Sequence, residues 1–403
     1  MSTSDENLNI LYVGTLPPHP GGSAISASQL LVGLAKTGHR INALAPITAE
    51  ALSSGDSFAA EHPEISVTRY LVPKFDILQY IPSKDLRQVE NEQIETRLPT
   101  LILNKRPDLI FIGRESFAWH VPDLAKMYGL PSIMRVAGGV IFGILNGNYS
   151  ENERSRLIEQ FQKIHLTITP ANHLAGELKH FGLHSIKTIL NAIDLQQFYS
   201  KPKDPALLNK LAIQQDDIIV AYIANLHQRK RPLDLIASAE QSLLKNPRLI
   251  YLMIGDGPLR KATEDMCRQK HLLDRFRFMG WIEYHRVPDY INLTDIVVML
   301  SEWEGLARVY LEAQACNRVL LASDIPPARE VIIEGETGFL FRLGDIEDLT
   351  NKTLLAASHP KLRMEIGNKA RKHVEAHHSI HQAICEYAQV FEEVVRNHKE
   401  IIQ

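Results

Sequence analysis

Residues 295–324 read DIVVMLSEWEGLARVYLEAQACNRVLLASD, and this stretch decides the fold. Its first and last runs, DIVVML and RVLLAS, are short and apolar, which predicts buried strands, while the mixed segment between them predicts a helix. A strand, a crossing helix and a second strand place two parallel strands in one sheet. The stretch therefore indicates an α/β domain built on a parallel sheet.

The same alternation runs through the whole chain and restarts once. Apolar runs before residue 200 include NILYVG, RINALAP, DLIFIG, SIMRVAG, HLTITP and IKTILN, and helical patterns separate them. A charged, proline-containing segment, KPKDPALLNKLAIQQDD, then comes before IIVAYIA, RLIYLMIG, RFRFMG and the two runs above. This predicts two doubly wound, Rossmann-like domains, residues 1–199 and 200–378. An amphipathic stretch at 379–403 predicts a last helix that packs back on the first domain.

The composition excludes several classes of partner. The 403 residues include 44 basic and 47 acidic side chains, a net charge of −3, which argues against nucleic acid. No run approaches the ~18 apolar residues of a membrane span, so we expect at most peripheral membrane contact. Cys267, Cys316 and Cys385 are too scattered for a disulfide framework or a CxxC metal site, which favours a cytoplasmic protein.

Ligands of doubly wound sheets bind beyond the carboxyl ends of the strands, so the loops there are where chemistry is expected. The first such loop, GTLPPHPGGSA, has Gly21 and Gly22 before a helix, which lets the backbone approach a phosphate. Ser23 is in position to cap that helix. Turn geometry alone also explains a glycine pair between a strand and a helix.

Two loops of the second domain have the same placement. In ANLHQRKRPLDLI, Arg229, Lys230 and Arg231 lie where a strand gives way to a helix, a place that can bind a diphosphate. A solvated basic turn explains the same residues. In MIGDGPLRK, the glycines of Gly255–Gly257 make a tight turn, and Asp256 is either a turn residue or a ligand contact.

The helix of the opening stretch has one carboxylate before its start and one inside it. Glu304 and Gly305 lie at the strand-to-helix turn, so the amides of Gly305, Leu306 and Ala307 are expected to face an anion. If the helix begins near Leu306, Glu312 lies about 9 Å further along its axis. A nucleotide-sugar has hydroxyls at both ends of a diphosphate, so each carboxylate can accept from one end. Two glutamates at this spacing also occur by chance.

Together these motifs resemble glycosyltransferase family four, the retaining glycosyltransferases with the GT-B fold. The resemblance spans nearly the whole chain, and its specific element is the E-x7-E spacing of Glu304 and Glu312. It rests further on PPHPGGSA (17–24), NAIDLQQF (191–198), the lysine region around residue 230, MIGDGP (253–258) and GETGFLF (335–341). It implies two Rossmann-like domains that face a central cleft, with a nucleotide-sugar donor in the second domain and the acceptor mainly against the first.

The resemblance also implies roles for individual residues. Lys230 would hold the donor diphosphate, Glu304 the transferred sugar and Glu312 the ribose, and the backbone around Trp281 would meet the base. The implied catalytic residues are Glu304 and Lys230, and the implied donor-binding residues are Gly22, Ser23, Asn225, Arg229, Gly255, Asp256, Gly257, Trp281, Gly305, Leu306, Ala307 and Glu312. Transfer in this family is described as front-face attack, in which the departing diphosphate helps to take the acceptor's proton. We expect no metal and no cofactor, and the sequence has no DxD motif of the metal-binding kind.

Several positions depart from the family pattern. Asn225 stands where an arginine is usual, with Arg229 or Arg231 as candidates to replace it, and Ala137 stands where a histidine is usual. Arg308 replaces an aliphatic residue in the first turn of the helix, where a cation opposes the helix dipole unless it meets an acid or a phosphate. Arg308 is therefore expected either to contact phosphate or acceptor, or to be solvated.

The acceptor side offers fewer candidates. His120 follows a strand of the first domain, and Gly138 and Gly139 lie at the position that lacks the family histidine. A core or helix-surface histidine explains His120 equally well, and both explanations stay open.

Three functions are compatible with these residues. The first is a metal-independent, retaining transfer of a sugar from a UDP- or GDP-sugar to a hydroxyl of a glycan, a lipid-linked sugar or a small metabolite. The second is a nucleotide-sugar epimerase or a glycosyl phosphorylase of the same fold. The third is a catalytically silent relative that binds a sugar nucleotide, for which Asn225 and Ala137 would be the signs of lost activity.

Overall fold

The computed structural model describes residues 7–75 and 83–402. The chain divides into two compact units, which we call unit 1 (Met1–Asn191 with Ile380–Gln403) and unit 2 (Ala192–Ser379). Each unit is built on a parallel sheet, as the sequence predicts. None of the described helices is long and apolar enough to cross a membrane.

The apolar runs quoted above form strands, and Ile65–Val72 and Phe339–Phe341 form two further strands that the sequence analysis did not name. The strands are β1 (Asn9–Val13), β2 (Arg40–Thr48), β3 (Ile65–Val72), β4 (Leu109–Ile112), β5 (Ser132–Arg135), β6 (Leu166–Thr169), β7 (Ile186–Thr188), β8 (Ile218–Ile223), β9 (Leu249–Ile254), β10 (Phe276–Gly280), β11 (Ile296–Met299), β12 (Val319–Ser323) and β13 (Phe339–Phe341). Within the described residues, the sheet of unit 1 has the order β3-β2-β1-β4-β5-β6-β7, and that of unit 2 the order β10-β9-β8-β11-β12-β13. The central strands are buried along their whole length, which is typical of parallel sheets covered on both faces.

Helices connect the strands. The described helices are α1 (Gly22–Lys36), α2 (Ala49–Ser53), α3 (Ser57–Glu61), α4 (Lys84–Lys105), α5 (Val121–Met127), α6 (Gly139–Leu145), α7 (Glu151–Gln162), α8 (Asn172–His180), α9 (Pro205–Lys210), α10 (Pro232–Lys245), α11 (Arg260–Gln269), α12 (Val287–Leu293), α13 (Arg308–Ala315), α14 (Pro326–Arg329), α15 (Ile346–Ser358), α16 (Pro360–His377) and α17 (Ile380–Ile402). Local sequence explains several starts: Ser150 and Glu153 form a capping box on α7, and Pro232 is the first residue of α10.

The last helix, α17, belongs to unit 1. The ring of Phe391 lies 5.0 Å from that of Phe111 on β4, and the ring of Tyr387 lies 6.1 Å from it. Ile384 occupies the space beside Gly33 of α1, where a Cβ would not fit. These apolar contacts hold the end of the chain on the unit that the chain left at Asn191.

Unit 2 begins at Ala192, whereas the sequence places the boundary between residues 199 and 200. The backbone N–H of Ile193 donates to the carbonyl oxygen of His378 at 2.9 Å, and that of Lys201 donates to Asn292 Oδ1 at 2.8 Å. The chain is therefore bonded to unit 2 from Ile193, before the charged composition begins at Lys201. A charged segment shows where the sequence becomes polar, but it does not show where the backbone begins to hydrogen-bond to the second unit.

Candidate active site

The carboxyl ends of β8 and β11 define the site in unit 2. β8 lies between β9 and β11, so the strand order reverses there, and this switch point is where doubly wound sheets bind their ligands. The two strands are in register from Val220 beside Ile296 to Tyr222 beside Val298. The loops that follow them therefore start side by side, one with the basic cluster of residues 229–231 and the other with the Glu304 turn.

Three of the predicted site residues meet between these loops. Lys230 Nζ donates a hydrogen bond to the Glu304 carboxylate, and Arg229 Nη1 lies 3.4 Å from Glu304 Oε1. Arg229 and Glu304 are buried and the Lys230 side chain is 13% exposed, so neither cation belongs to a solvated turn. Burial raises the pKa of Glu304, but the positive charges of Lys230 and Arg229 outweigh it and lower that pKa to about 2. Glu304 is thus ionised at neutral pH beside two cations.

A tyrosine and two glycines fix the loop that carries Lys230. The Tyr222 hydroxyl lies 3.2 Å from the carbonyl oxygen of Asn225 and 3.1 Å from that of Lys230. Gly255 and Gly257 have φ values of 128° and 158°, and a Cβ at either position would overlap a carbonyl oxygen of this loop. The glycine turn after β9 therefore packs directly against the loop after β8, which explains why positions 255 and 257 are both glycine.

Two other predicted residues of these loops have local partners. Asp256 Oδ1 accepts a hydrogen bond from the backbone N–H of Gly257 at 2.7 Å, the arrangement of a turn residue. Arg231 Nε lies 2.6 Å from Asp234, and its Nη1 lies 2.9 Å from Glu302. The partners of Arg231 are therefore different from those of the Lys230–Glu304 cluster.

The helix after Glu304 begins later than the sequence predicts. α13 starts at Arg308, and Gly305, Leu306 and Ala307 form an irregular turn before it, with Ala307 at the N-cap and no side-chain cap. Residues 305–307 contain none of the usual capping side chains, so the sequence did not locate the start. Glu312 consequently lies about 6 Å along the axis from the first residue of the helix instead of 9 Å.

Arg308 is buried, so the expectation of a solvated arginine is wrong. Only 8% of its surface is exposed, and its Nε lies 3.6 Å from Glu312 Oε1. Its Nη2 donates to the Tyr284 hydroxyl at 2.5 Å. Tyr284 follows β10 and lies three residues after Trp281, whose side chain is exposed. Tyr284 was not predicted as a site residue, although its position in the loop expected near the base was a signal.

The remaining candidates lie in unit 1. Gly22 and Ser23 are the first two residues of α1, whose N-cap is Gly21. Ser23 is therefore not the helix cap that the sequence predicts, because the helix has already begun at Gly22. His120 precedes α5, and its Nδ1 lies 2.6 Å from Glu95 Oε1.

His120 also lines an open cavity of about 440 Å³ between α4, the segment just before α5, and α7. Burial lowers the pKa of His120, and the nearby carboxylate of Glu95 opposes that change. The contact with Glu95 is what a helix-surface histidine would make, whereas the position beside a cavity is what an acceptor contact would need. Both explanations of His120 stay open. Within the part of the chain that the structure describes, no group of three or more His, Cys, Asp or Glu side chains is placed to hold a metal ion.

A buried glutamate that the sequence analysis missed fills the place near the absent histidine. Glu115, three residues beyond the end of β4, accepts hydrogen bonds from the backbone N–H of Ala137 at 2.7 Å and of Val140 at 3.2 Å. It thereby fixes the turn at Gly138 and Gly139, where α6 begins. The signal was a carboxylate three residues beyond a fully apolar strand.

Solved structures of the same fold are known. Sucrose-phosphate synthase from Thermosynechococcus elongatus superimposes with a TM-score of 0.83 at 20% identity, over 96% of this chain and 100% of that one. HepE of Anabaena, solved in complex with UDP and glucose, gives a TM-score of 0.78 at 17% identity, again over 96% and 100%. The fold of this chain is the GT-B fold.

The sequence comparisons indicate the family. Residues 203–373, nearly all of unit 2, match the model of the glycosyl transferases group 1. Over 394 residues, which are 96% of this chain and 97% of the relative, the chain is 25% identical to N-acetyl-alpha-D-glucosaminyl L-malate synthase of Bacillus anthracis. These matches support a member of glycosyltransferase family four, and the relatives are named as glycosyltransferases or sugar-joining synthases.

Proposed function

We propose that this protein transfers a sugar from a nucleotide-sugar, with UDP or GDP as the nucleotide, to a hydroxyl of a glycan, a lipid-linked sugar or a small metabolite. The anomeric configuration of the sugar is retained, and the reaction needs no metal. The observation that carries the proposal is the buried cluster of Arg229, Lys230 and Glu304 at the switch point of the unit 2 sheet.

The charge of this cluster suits a diphosphate. Two cations face one carboxylate, so the cluster has an excess of positive charge in a buried place where electrostatic interactions are strong. The start of α13 adds the positive end of a helix dipole a few residues beyond Glu304. A diphosphate that binds here gains charge-assisted hydrogen bonds, and it does so without a dedicated metal ligand set.

The same charges would stabilise the leaving group during transfer. The bond between the anomeric carbon and the phosphate oxygen breaks, and the acceptor oxygen forms its bond on the same face of the sugar. Negative charge then develops on the departing diphosphate, where Lys230 and Arg229 would act, and a phosphate oxygen takes the acceptor's proton. Glu304 would accept hydrogen bonds from the hydroxyls of the transferred sugar, since an ionised carboxylate is an acceptor only.

The relatives support a nucleotide-sugar and a hydroxyl acceptor. HepE was solved with UDP and glucose, and the Bacillus anthracis relative is named for joining N-acetylglucosamine to malate. The three cysteines of this chain are free, and two of them are buried, which fits a protein of the reducing cytoplasm. We place the donor contacts in unit 2, apart from Gly22 and Ser23, and the acceptor contacts, with His120, Gly138 and Gly139 as candidates, in unit 1.

The test is a transfer assay with EDTA present throughout. Purified protein is incubated with UDP- and GDP-sugars and a panel of hydroxyl acceptors, and products are followed by mass spectrometry and proton NMR of the anomeric signal. Glu304→Gln removes the predicted sugar contact, and Glu302→Gln is the matched control because Glu302 lies in the same loop with a partly exposed side chain. We expect product with the donor's configuration, a large loss in the first variant and no loss in the control.

Other results would redirect the assignment. Conversion of the donor sugar without any acceptor would indicate an epimerase, and consumption of inorganic phosphate would indicate a phosphorylase. Binding of a nucleotide-sugar without turnover would indicate a silent relative. Activity only after metal is restored would contradict the metal-free mechanism.

A further inference from the structure

Arg308 occupies a place where an arginine is expected to destabilise the fold. It is the first residue of α13, so its charge lies at the positive end of the helix dipole. It is also 8% exposed, and a buried charge is tolerated only when it is paired and hydrogen-bonded. Its presence therefore calls for specific partners.

Those partners form a closed triangle with Arg308. The guanidinium Nε lies 3.6 Å from Glu312 Oε1 one helical turn later, and Nη2 donates to the Tyr284 hydroxyl at 2.5 Å. The Tyr284 hydroxyl in turn hydrogen-bonds the Glu312 carboxylate. The guanidinium carbon also lies 5.5 Å from the centre of the Tyr284 ring, which packs on Phe198. The triangle ties α13 to the turn that follows β10.

We propose that Arg308 is a positioning residue which, together with Tyr284, holds the Glu312 carboxylate in the orientation that accepts the two ribose hydroxyls of the donor nucleotide. The arrangement then makes the protein selective for ribonucleotides over 2′-deoxyribonucleotides. The inference rests on the proposed function, since it takes Glu312 as the ribose contact. It adds two residues, Arg308 and Tyr284, and a specificity that follows from their geometry.

The pairing of Arg308 with Glu312 makes it easier for the Glu312 carboxylate to stay ionised in its buried place. Burial raises the pKa of Glu312, and the charge of Arg308 and the hydrogen bond from Tyr284 act against that rise. The Cys316 thiol, one turn later, also interacts with Glu312, but burial raises its pKa to about 12, so it stays neutral. Without Arg308 the carboxylate would protonate more easily. A protonated acid has lost part of the acceptor capacity that a ribose diol needs.

The orientation matters as much as the charge. A carboxylate can rotate about its last side-chain bonds, and only some rotations direct both oxygens at neighbouring hydroxyls. Arg308 and Tyr284 approach Glu312 from α13 and from the turn after β10, so rotation would break at least one contact. The cost of fixing the carboxylate is thereby met in the folded protein before the nucleotide arrives.

The experiment measures ribose selectivity by calorimetry. UDP, GDP and ADP are titrated into the wild-type protein, and the tightest binder is compared with its own 2′-deoxy form in wild type, Arg308→Leu, Arg308→Lys and Tyr284→Phe. Arg286→Leu is the control, because Arg286 lies in the same turn as Tyr284 with an exposed side chain. We expect wild type and control to prefer the ribonucleotide roughly tenfold or more, the value of a charge-assisted hydrogen bond.

The variants should separate positioning from general stability. In Arg308→Leu the ratio of the dissociation constants of the deoxyribonucleotide and the ribonucleotide should fall towards one. Arg308→Lys should keep part of the wild-type ratio. Tyr284→Phe removes only a hydroxyl and keeps the ring on Phe198, so it tests the inference even if Arg308→Leu does not fold. A purely structural role would weaken both nucleotides equally and leave the ratio unchanged, which would overturn the inference alone. Absence of binding by all three wild-type nucleotides would overturn it together with the proposed function.

Discussion

Lys230→Ala tests the buried cluster through stability first. The change removes the hydrogen bond from Lys230 Nζ to Glu304 and leaves a buried carboxylate that faces Arg229 alone, at 3.4 Å. Loss of one partner of a buried ion pair costs about 3–5 kcal/mol of unfolding free energy. Because Arg229 remains, we expect the lower end, about 3 kcal/mol. Urea denaturation at pH 7 measures this value.

The same substitution should reduce transfer. A lost phosphate contact costs about 2–4 kcal/mol of transition-state stabilisation, which is ~30–1000-fold in kcat/KM. The initial rate of nucleotide release, measured at a temperature where the variant is folded, gives this ratio. Lys261→Ala is the matched control, since Lys261 lies on α11 of the same unit with an 88% exposed side chain. We expect the control to match wild type in rate and stability.

A second substitution separates the two effects. Glu304→Gln removes the negative charge, so Lys230→Ala in that background no longer strands a buried carboxylate, and its cost in stability should shrink. Its cost in diphosphate binding should persist. The reasoning is refuted if folded Lys230→Ala transfers sugar at the wild-type rate, or if its cost in stability is the same in both backgrounds.

Three further predictions test the structure that supports the site. The pKa of Glu304 is lowered from 4.5 to about 2. The ionised carboxylate therefore adds ~3 kcal/mol to the free energy of unfolding above about pH 5. This contribution is lost as the pH falls from 4.5 towards 2. Unfolding free energies of wild type and Glu304→Gln should therefore converge over that range, and a constant difference would contradict the pairing. Gly255→Ala should lower the free energy of unfolding by more than about 2 kcal/mol in urea titrations, because its Cβ would overlap a loop carbonyl. Gly129→Ala is the control, because Gly129 also has a positive φ but has open space around it, and it should cost only about 1 kcal/mol. Glu115→Ala should cost about 1–3 kcal/mol by removing two hydrogen bonds that begin α6, and an unchanged melting temperature would contradict that role.

Apolar patterning predicted the sheets because the buried strands are encoded locally. DIVVML and RVLLAS became β11 and β12, paired as neighbours, since a strand buried on both faces needs an apolar residue at every position. The sequence did not predict the contact between Lys230 and Glu304, 74 residues apart, but it placed both loops at the carboxyl ends of strands, where such contacts form. The order of the strands in the sheet brings the two loops together.

Details that depend on a particular backbone or partner were not predictable in this way. The start of α13 at Arg308 depends on how Gly305 to Ala307 turn, and that turn has no capping side chain to announce it. Glu115 and Tyr284 find their partners on other segments of the chain, so their own neighbours in sequence give no sign of the contact. Arg308 could be flagged from the sequence as misplaced, but only the fold shows what neutralises it.

The most direct test of the central claim is a calorimetric titration of UDP and GDP into the wild-type protein, with EDTA, beside Lys230→Ala and Lys261→Ala. We predict that wild type and Lys261→Ala bind one of the two diphosphates with the same affinity, that EDTA changes nothing, and that Lys230→Ala weakens binding ~30-fold or more. Binding that needs a divalent metal, or that Lys230→Ala leaves intact, would contradict the claim that these buried cations hold the donor.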